Sequence, residues 1–154
     1  MTTSLDLNVS MPELTRTLLD IYSVSGEEKT IADAVYEALS AYPHLHLTRD
    51  GDAMIARTEF GPRNGEERTR ILLAGHLDTV PLPTVAGSLG TVPASIVEDN
   101  GDWVLYGRGA TDMKGGVAVQ LKLAAELGEH DTDYNLTYVF YDHEEVASEL
   151  SGMA

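Results

Sequence analysis

The sequence predicts an α/β fold in which a mixed sheet carries helices on both faces. Strand-like apolar runs alternate with amphipathic helical patterns along the 154 residues, and this alternation is typical of α/β architecture. Residues 117–127 and 135–141 are apolar on nearly every side, as expected of a helix and a central strand that are both buried. With 43% hydrophobic residues, the chain is long and apolar enough for one domain with a substantial core.

Two helices are predicted in the first third of the chain. The segment 10–13 reads Ser-Met-Pro-Glu, which is typical of a capped helix start with proline at the first helical position. The segment 25–28 reads Ser-Gly-Glu-Glu, and its Ser-x-x-Glu spacing predicts a second helix that ends near residues 42–43. We therefore interpret Glu27 and Glu28 as capping residues that interact favourably with the helix dipole.

Strands are predicted from apolar or β-branched runs that are bounded by turn residues. An Asp-Gly-Asp turn joins the first two runs and predicts a hairpin. Residues 81–95 are rich in Pro, Gly, Thr and Ser, so they are predicted to form an irregular surface loop. In the helix 117–127, Gln120, Lys122 and Glu126 are expected to form a polar stripe. The predicted strands cover residues 45–49, 53–57, 69–75, 103–106 and 135–141.

Composition excludes several function classes. The formal net charge of −15 disfavours binding to nucleic acid and to anionic membrane surfaces. The absence of cysteine excludes thiolate catalysis, disulfides and cysteine-based zinc sites. The first residues have neither a basic segment nor an apolar one, and no run could span a bilayer. We therefore expect a cytoplasmic protein whose partners include neither nucleic acid nor membrane.

Three apolar runs each end in residues that can bind a cation. The first ends at His76 and Asp78, the second precedes Asp112, and the third ends at Glu144 and Glu145. In α/β sheets, ligands bind outside the carboxyl ends of the strands, so these five side chains are predicted to form one site. Their nitrogen and oxygen atoms suit zinc and also admit cobalt or manganese.

Each of these motifs taken alone has a simpler interpretation. Asp112 could be a turn residue or a helix cap, and His76 and Asp78 could form an ordinary hydrogen bond at a strand end. Glu144 and Glu145 are adjacent, so in a regular strand they would point to opposite faces, and both reach one site only if the chain bends there. A serine hydrolase is excluded because no Gly-x-Ser-x-Gly elbow is present. His44 and His46 have no acidic partner at ligand spacing and are interpreted as ordinary surface or strand residues.

Taken together, the motifs Gly-His-Leu-Asp-Thr-Val (75–80), Gly-Arg-Gly-Ala-Thr-Asp-Met-Lys-Gly-Gly (107–116) and Glu-Glu (144–145) resemble those of a known family. It is the acetylornithine deacetylase and succinyl-diaminopimelate desuccinylase family of dinuclear zinc hydrolases. The resemblance extends over essentially the whole chain. Residues 141–146, Tyr-Asp-His-Glu-Glu-Val, are closest to the actinobacterial type of desuccinylase.

The resemblance implies a role for each of these side chains. His76 and Glu145 would each bind one of two zinc ions, and Asp112 would bridge them, with cobalt as a possible substitute. Glu144 would be the general base, and Asp78 would orient the site. The resemblance also implies a cis peptide bond between Asp112 and Met113.

The implied activity is hydrolysis of N-succinyl-LL-2,6-diaminopimelate in lysine biosynthesis, with an N-acyl amino acid as the small-molecule partner. Related deacylases such as acetylornithine deacetylase and aminoacylase, as well as dipeptidases, stay open, as does a catalytically silent binding or assembly module. The family has further metal ligands and a lid or dimerisation domain after the third motif. Residues 1–154 are therefore expected to be the N-terminal portion of a three-layer αβα catalytic domain, weakly active or inactive by themselves, and the complete enzyme is expected to be a homodimer.

Overall fold

The computed structural model describes residues 4–146, 149 and 151–153. Two helices open the chain, a third follows the middle of the sequence, and strands occupy most of the rest. A turn at Ala110–Lys114, whose backbone is not helical at Asp112 and Met113, leads directly into the third helix. In chain order the elements are α1 (Met11–Leu19), α2 (Lys29–Ser40), β1 (His46–Asp50), β2 (Ala53–Arg57), β3 (Arg70–His76), β4 (Ser95–Asp99), β5 (Asp102–Tyr106), α3 (Gly115–Glu126) and β6 (Asn135–Tyr141).

The main sheet has the strand order β1-β2-β6-β3. The pairs β1–β2 and β2–β6 are antiparallel, whereas β3 runs parallel to β6. The predicted α/β class with a mixed sheet is therefore confirmed, as is the inner position of the apolar strand 135–141. Strands β4 and β5 form a separate antiparallel pair, of which only β5 was predicted, because residues 95–99 mix polar and apolar side chains.

One hydrophobic core joins the helices to the main sheet. Tyr138 and Phe140 of β6 are fully buried, as are Leu14 of α1, Ile31 of α2 and Leu121 of α3, and all five belong to the same cluster. Strand β2 alternates between buried and exposed positions, which is the pattern of a strand with one face towards a core. No helix among the described residues is both long and apolar enough to cross a membrane.

The first helix has the predicted cap, but it begins at Met11, so Pro12 occupies its second position and not the first. Its N-cap is Ser10, whose backbone N–H donates to Glu13 Oε2 at 3.1 Å, the reciprocal half of a capping box. This bond occupies one of the donors that a helix N-terminus otherwise leaves unpaired. The capping box of α1 is confirmed.

The predicted capping box at residues 25–28 is wrong. Helix α2 begins only at Lys29, and its N-cap residue Glu28 makes no side-chain capping bond. Ser25 instead donates its hydroxyl to Asp78, and Glu28 is 1% exposed. Both side chains are drawn away from the helix start because the preceding segment runs alongside the end of β3.

Helix α3 is buried on more of its surface than its polar residues suggested. Gln120, expected on a polar stripe, is 6% exposed, and its amide donates to the Ala74 carbonyl at 2.9 Å. Lys122 donates to the carbonyl of Leu7 at 2.9 Å and pairs with Glu126 at 3.0 Å. The Ala74 carbonyl of β3 thus gives the Gln120 amide a hydrogen-bond partner in the interior, where the sequence predicted a surface residue.

Candidate metal centre

The parallel pairing of β3 and β6 brings two of the three predicted motifs together. His76 lies opposite Tyr141 in the register, and the Leu77 N–H donates to the Tyr141 carbonyl at 2.8 Å. The carboxyl ends of parallel strands meet at one edge of a sheet. The residues that follow β3 and those that follow β6 therefore lie side by side.

His76 is the side chain around which the site is built. It is 2% exposed, and its Nδ1 lies 3.0 Å from the backbone carbonyl of Asp78. A carbonyl can only accept, so Nδ1 carries the proton and Nε2 is left to bind a cation, an arrangement common among metal-bound histidines. Nε2 lies 3.0 Å from Asp112 Oδ1, which brings the second predicted motif to the same ring.

Asp78 supports the site from beneath. Its side chain is fully buried and accepts hydrogen bonds from the Ser25 hydroxyl, from the Glu144 N–H at 3.1 Å and from the Glu145 N–H at 2.9 Å. Burial alone would raise the pKa of Asp78, but hydrogen bonds from His76, Ser25 and the two backbone groups hold it well below the usual range. Asp78 is thus an ionised carboxylate that organises its neighbours.

Adjacent glutamates reach the same point because the chain turns immediately after β6. His143 has a φ of 57°, a left-handed conformation that is uncommon outside glycine, and residues 144 and 145 form a turn. Ligand atoms of His76, Glu144 and Glu145 lie within 4.8 Å of one another. The bend on which the sequence interpretation depended is present.

Asp112 approaches from a different element. Gly109, with a φ of 80°, precedes the turn Ala110–Lys114, and the Asp112–Met113 peptide bond is cis, as the resemblance implied. The Asp112 side chain is 77% exposed. Lys114 is 1% exposed, and its ammonium group donates to the Ile21 carbonyl at the end of α1 at 2.8 Å. The turn is thus held from below while its carboxylate faces solvent.

The electrostatics of the site favour positive charge. Burial lowers the pKa of His76, but hydrogen bonds to Asp78 and Asp112 outweigh that effect and raise the pKa to about 9. Burial and then the Asp112 carboxylate raise the pKa of Glu145. Several carboxylates at such close range repel one another unless a proton or a cation lies between them. Their nitrogen and oxygen donors suit zinc without any sulfur ligand, so the residues present fit the predicted metal.

An open cleft of about 570 Å³ borders the site. Asp112 and Glu145 lie on its wall, together with Tyr106, Arg108 and Val80. The volume is within the range of small-molecule pockets. A substrate in this cleft would meet the two carboxylates, Arg108 and apolar side chains such as Val80.

The five predicted side chains therefore converge, while their individual roles stay predictions. Both glutamates reach His76, and the division into Glu145 as ligand and Glu144 as base comes from the resemblance. Sequence reasoning missed Ser25 and Glu28, which it assigned to capping. Gly26, which lies between them, was the sequence feature that argued against a helix start. It has a φ of 92°, which is incompatible with a regular helix start.

Comparison with known proteins places these motifs in a wider group. The model of the family described as Peptidase family M20/M25/M40 matches residues 72–154, which is just over half of the chain. The "Putative succinyl-diaminopimelate desuccinylase DapE" of Mycobacterium tuberculosis is 46% identical over 150 residues, covering 97% of this chain and 38% of that protein. The succinyl-diaminopimelate desuccinylase of Corynebacterium glutamicum is 40% identical over 143 residues, covering 91% and 35%. The chain thus spans less than two fifths of the length of these relatives.

Solved structures share the fold at lower identity. Aminoacylhistidine dipeptidase from Vibrio alginolyticus matches with a TM-score of 0.70 and 15% identity, over 94% of this chain and 29% of that one. The M20 family metallo-carboxypeptidase Sso-CP2 from Sulfolobus solfataricus matches with a TM-score of 0.68 and 18% identity, over 89% and 31%. At this identity the similarity concerns the fold alone.

Proposed function

Because the chain belongs to peptidase family M20/M25/M40, we propose that it carries part of the metal centre of a metal-dependent amide hydrolase. The observation that carries this proposal is the convergence of His76, Glu144 and Glu145, with ligand atoms within 4.8 Å of one another, next to Asp112. We further propose N-succinyl-LL-2,6-diaminopimelate as the substrate. Water would cleave its succinyl amide bond and release succinate and LL-2,6-diaminopimelate, a step of lysine biosynthesis. Two relatives named as desuccinylases, 46% and 40% identical, support this choice.

The roles of the residues follow the sequence interpretation. His76, Asp112 and Glu145 would hold zinc, or cobalt in its place, with Asp112 between the two ions. Bound zinc would polarise the amide carbonyl and lower the pKa of water. Glu144 is exposed at the tip of the turn and would take the proton from the attacking water before passing it to the leaving amine. Asp78 would keep the His76 ring in place, as carboxylates near metal-bound histidines generally do.

The remaining expectations belong to this proposal. The partner would be a small N-acylated amino acid that enters the cleft beside Asp112 and Glu145. The complete enzyme would be a cytoplasmic homodimer. The acidic surface, with a net charge of −15, disfavours a nucleic-acid partner.

The test measures zinc binding before turnover. Metal-free protein is titrated with zinc against a chromophoric chelator, and bound zinc is counted by elemental analysis for the parent, Asp112→Ala and Glu144→Gln. We expect Asp112→Ala to reduce the zinc content, whereas Glu144→Gln retains it. Glu129→Gln, an exposed glutamate after α3, serves as the control for loss of one negative charge.

Hydrolysis is then assayed with N-succinyl-LL-2,6-diaminopimelate, N-acetylornithine and a dipeptide. Residues 1–154 are expected to be weakly active or inactive by themselves, so the prediction concerns the residual turnover of the parent. We expect Glu144→Gln to lower it at least 100-fold, in line with the usual contribution of a general base. Protein that binds no zinc would overturn the hydrolase assignment. Faster turnover of N-acetylornithine or the dipeptide would overturn the substrate assignment alone.

A further inference from the structure

A buried glutamate outside the predicted site lies directly beneath the turn that carries Glu144 and Glu145. Glu28 is 1% exposed. Its Oε1 accepts the backbone N–H of Gly26 at 2.9 Å and the backbone N–H of His143 at 3.2 Å. One carboxylate oxygen thus joins the segment before α2 to the first residue of the turn.

The segment 23–28 is fastened to the end of β3, so Glu28 has a fixed starting point. The Thr79 N–H donates to the Ser23 carbonyl at 2.9 Å, and the Ser25 N–H donates back to the Thr79 carbonyl at 3.1 Å. The Ser23 hydroxyl also donates to the Leu77 carbonyl at 2.8 Å. Bonds in both directions hold this segment beside residues 77–79, which directly follow β3.

Three consecutive backbone N–H groups of the turn point into carboxylates. The His143 N–H donates to Glu28, and the N–H groups of Glu144 and Glu145 donate to the two oxygens of Asp78. The position of the two glutamate side chains therefore depends on two buried carboxylates, one on each side of the bend.

Glu28 contributes to the turn at a cost to folding. Its second oxygen, Oε2, is buried without a hydrogen-bond partner in the described part of the chain, and such an oxygen is unfavourable for stability. Glutamate is also seldom buried unless it is paired. Residues that break such local rules are concentrated at functional sites.

We propose that Glu28 is a positioning residue of the metal centre. Through the His143 N–H it holds the left-handed bend at residue 143, and this bend directs Glu144 and Glu145 towards His76. The action of Glu28 is geometric: it requires an acceptor oxygen at the correct reach and does not depend on negative charge. The inference rests on the proposed function, since it concerns how that metal centre is held.

Two conservative variants of Glu28 distinguish the effect of its side-chain length from the effect of its charge. Glu28→Gln keeps an acceptor oxygen at the same distance and loses the charge, whereas Glu28→Asp keeps the charge and shortens the side chain by one methylene. We expect Glu28→Gln to bind zinc within about threefold of the parent and Glu28→Asp to bind it about tenfold more weakly, the lower end of the usual effect of residues supporting metal ligands. The matched control is Glu27→Asp, which changes the adjacent, exposed glutamate and should leave zinc affinity unchanged.

Amide hydrogen exchange of the metal-free protein tests the contact directly. The His143 amide should be protected in the parent and in Glu28→Gln, and it should exchange at least tenfold faster in Glu28→Asp. A merely structural role would lower thermal stability equally in both variants without separating their zinc affinities.

Each result of the zinc-affinity and hydrogen-exchange measurements leads to a different conclusion about Glu28. Unchanged zinc affinity in Glu28→Asp overturns the positioning role, and a larger loss in Glu28→Gln than in Glu28→Asp would mean that charge, not reach, is what matters. An unprotected His143 amide in the parent overturns the proposal irrespective of how the variants fold. If the parent binds no zinc, the proposed function fails, and the exchange comparison alone decides whether Glu28 holds the bend.

Discussion

The two turns that present carboxylates to His76 are held by groups of opposite charge. The turn at residues 143–145 donates three backbone N–H groups to Asp78 and Glu28. The turn at residues 109–114 is held through Lys114, whose ammonium group donates to the carbonyl of Ile21, two residues after α1. One turn is stabilised by buried anions and the other by a buried cation.

The two turns differ in how well hydrogen bonds compensate for the burial of their charged side chain. Asp78 accepts several charge-assisted bonds at once, and they outweigh the cost of burying it, so its pKa lies below the usual range. Lys114 donates a hydrogen bond to the Ile21 carbonyl. Burial outweighs the favourable interactions of the ammonium group and lowers its pKa to about 8. The turn at residues 143–145 should therefore be the more sensitive of the two to loss of its buried charge, which is that of Asp78.

The largest expected effect is that of Asp78→Ala. The substitution leaves two backbone N–H groups and the Ser25 hydroxyl without their acceptor. Removing one member of a buried charged network costs about 3–5 kcal/mol. Urea denaturation of the metal-free protein measures this loss, and a change below about 1 kcal/mol would show that the N–H groups find other partners.

Gly109→Ala should disturb the second turn to a smaller extent. Gly109 has a φ of 80°, and an added Cβ would lie 2.7 Å from Thr79 Cγ2 and 3.2 Å from the Asp112 carbonyl oxygen. We expect a loss of about 1–3 kcal/mol in unfolding free energy from strain and crowding combined.

Gly87→Ala is the matched control for that substitution. Gly87 has a φ of 81° and no atom within 4 Å of an added Cβ. Its substitution by alanine therefore measures only the cost of a left-handed backbone conformation in alanine. Equal losses at the two positions would mean that crowding against Asp112 contributes nothing.

Lys114→Met should be nearly neutral at pH 7, within about 1 kcal/mol, because loss of the bond to Ile21 is offset by relief of a buried charge. The contribution of Lys114 to stability is instead expected to depend on pH. The unfolded state binds a proton up to a pKa near 10.5 and the folded state only up to about 8. Between these values the unfolded state holds more protons, so the stability of the parent relative to Lys114→Met rises with pH. Denaturation curves across this range test the sign, and a flat difference would contradict burial as the cause.

The smallest effect on stability is expected for Asp112→Asn. The side chain is 77% exposed, and surface substitutions usually change the unfolding free energy by no more than about 0.5 kcal/mol. Zinc affinity should nevertheless fall, since the bridging carboxylate is lost. Chemical denaturation and chelator competition on the same samples separate the two effects. A large stability loss without metal would place Asp112 with the structural carboxylates instead.

Local patterns predicted most of the elements because their signals are local. The capping box at Ser10, the buried run of β6 and the hairpin turn between β1 and β2 follow from residues near one another in the chain. The same reasoning was wrong at Ser25, Glu28 and Gln120. Each of these side chains is engaged by a distant backbone or carboxyl group, and sequence spacing carries no information about such a partner.

The sequence by itself determined the kinds of residue at the site and their place after three apolar runs, because strand-forming and turn-forming preferences act over a few residues. The tertiary structure alone decided how these residues meet. The parallel pairing of β3 with β6 sets His76 beside the bend at His143, and the burial of Glu28 and Asp78 holds that bend. Buried charges adopt such positions because only the folded chain supplies enough hydrogen bonds to compensate for the water they lose.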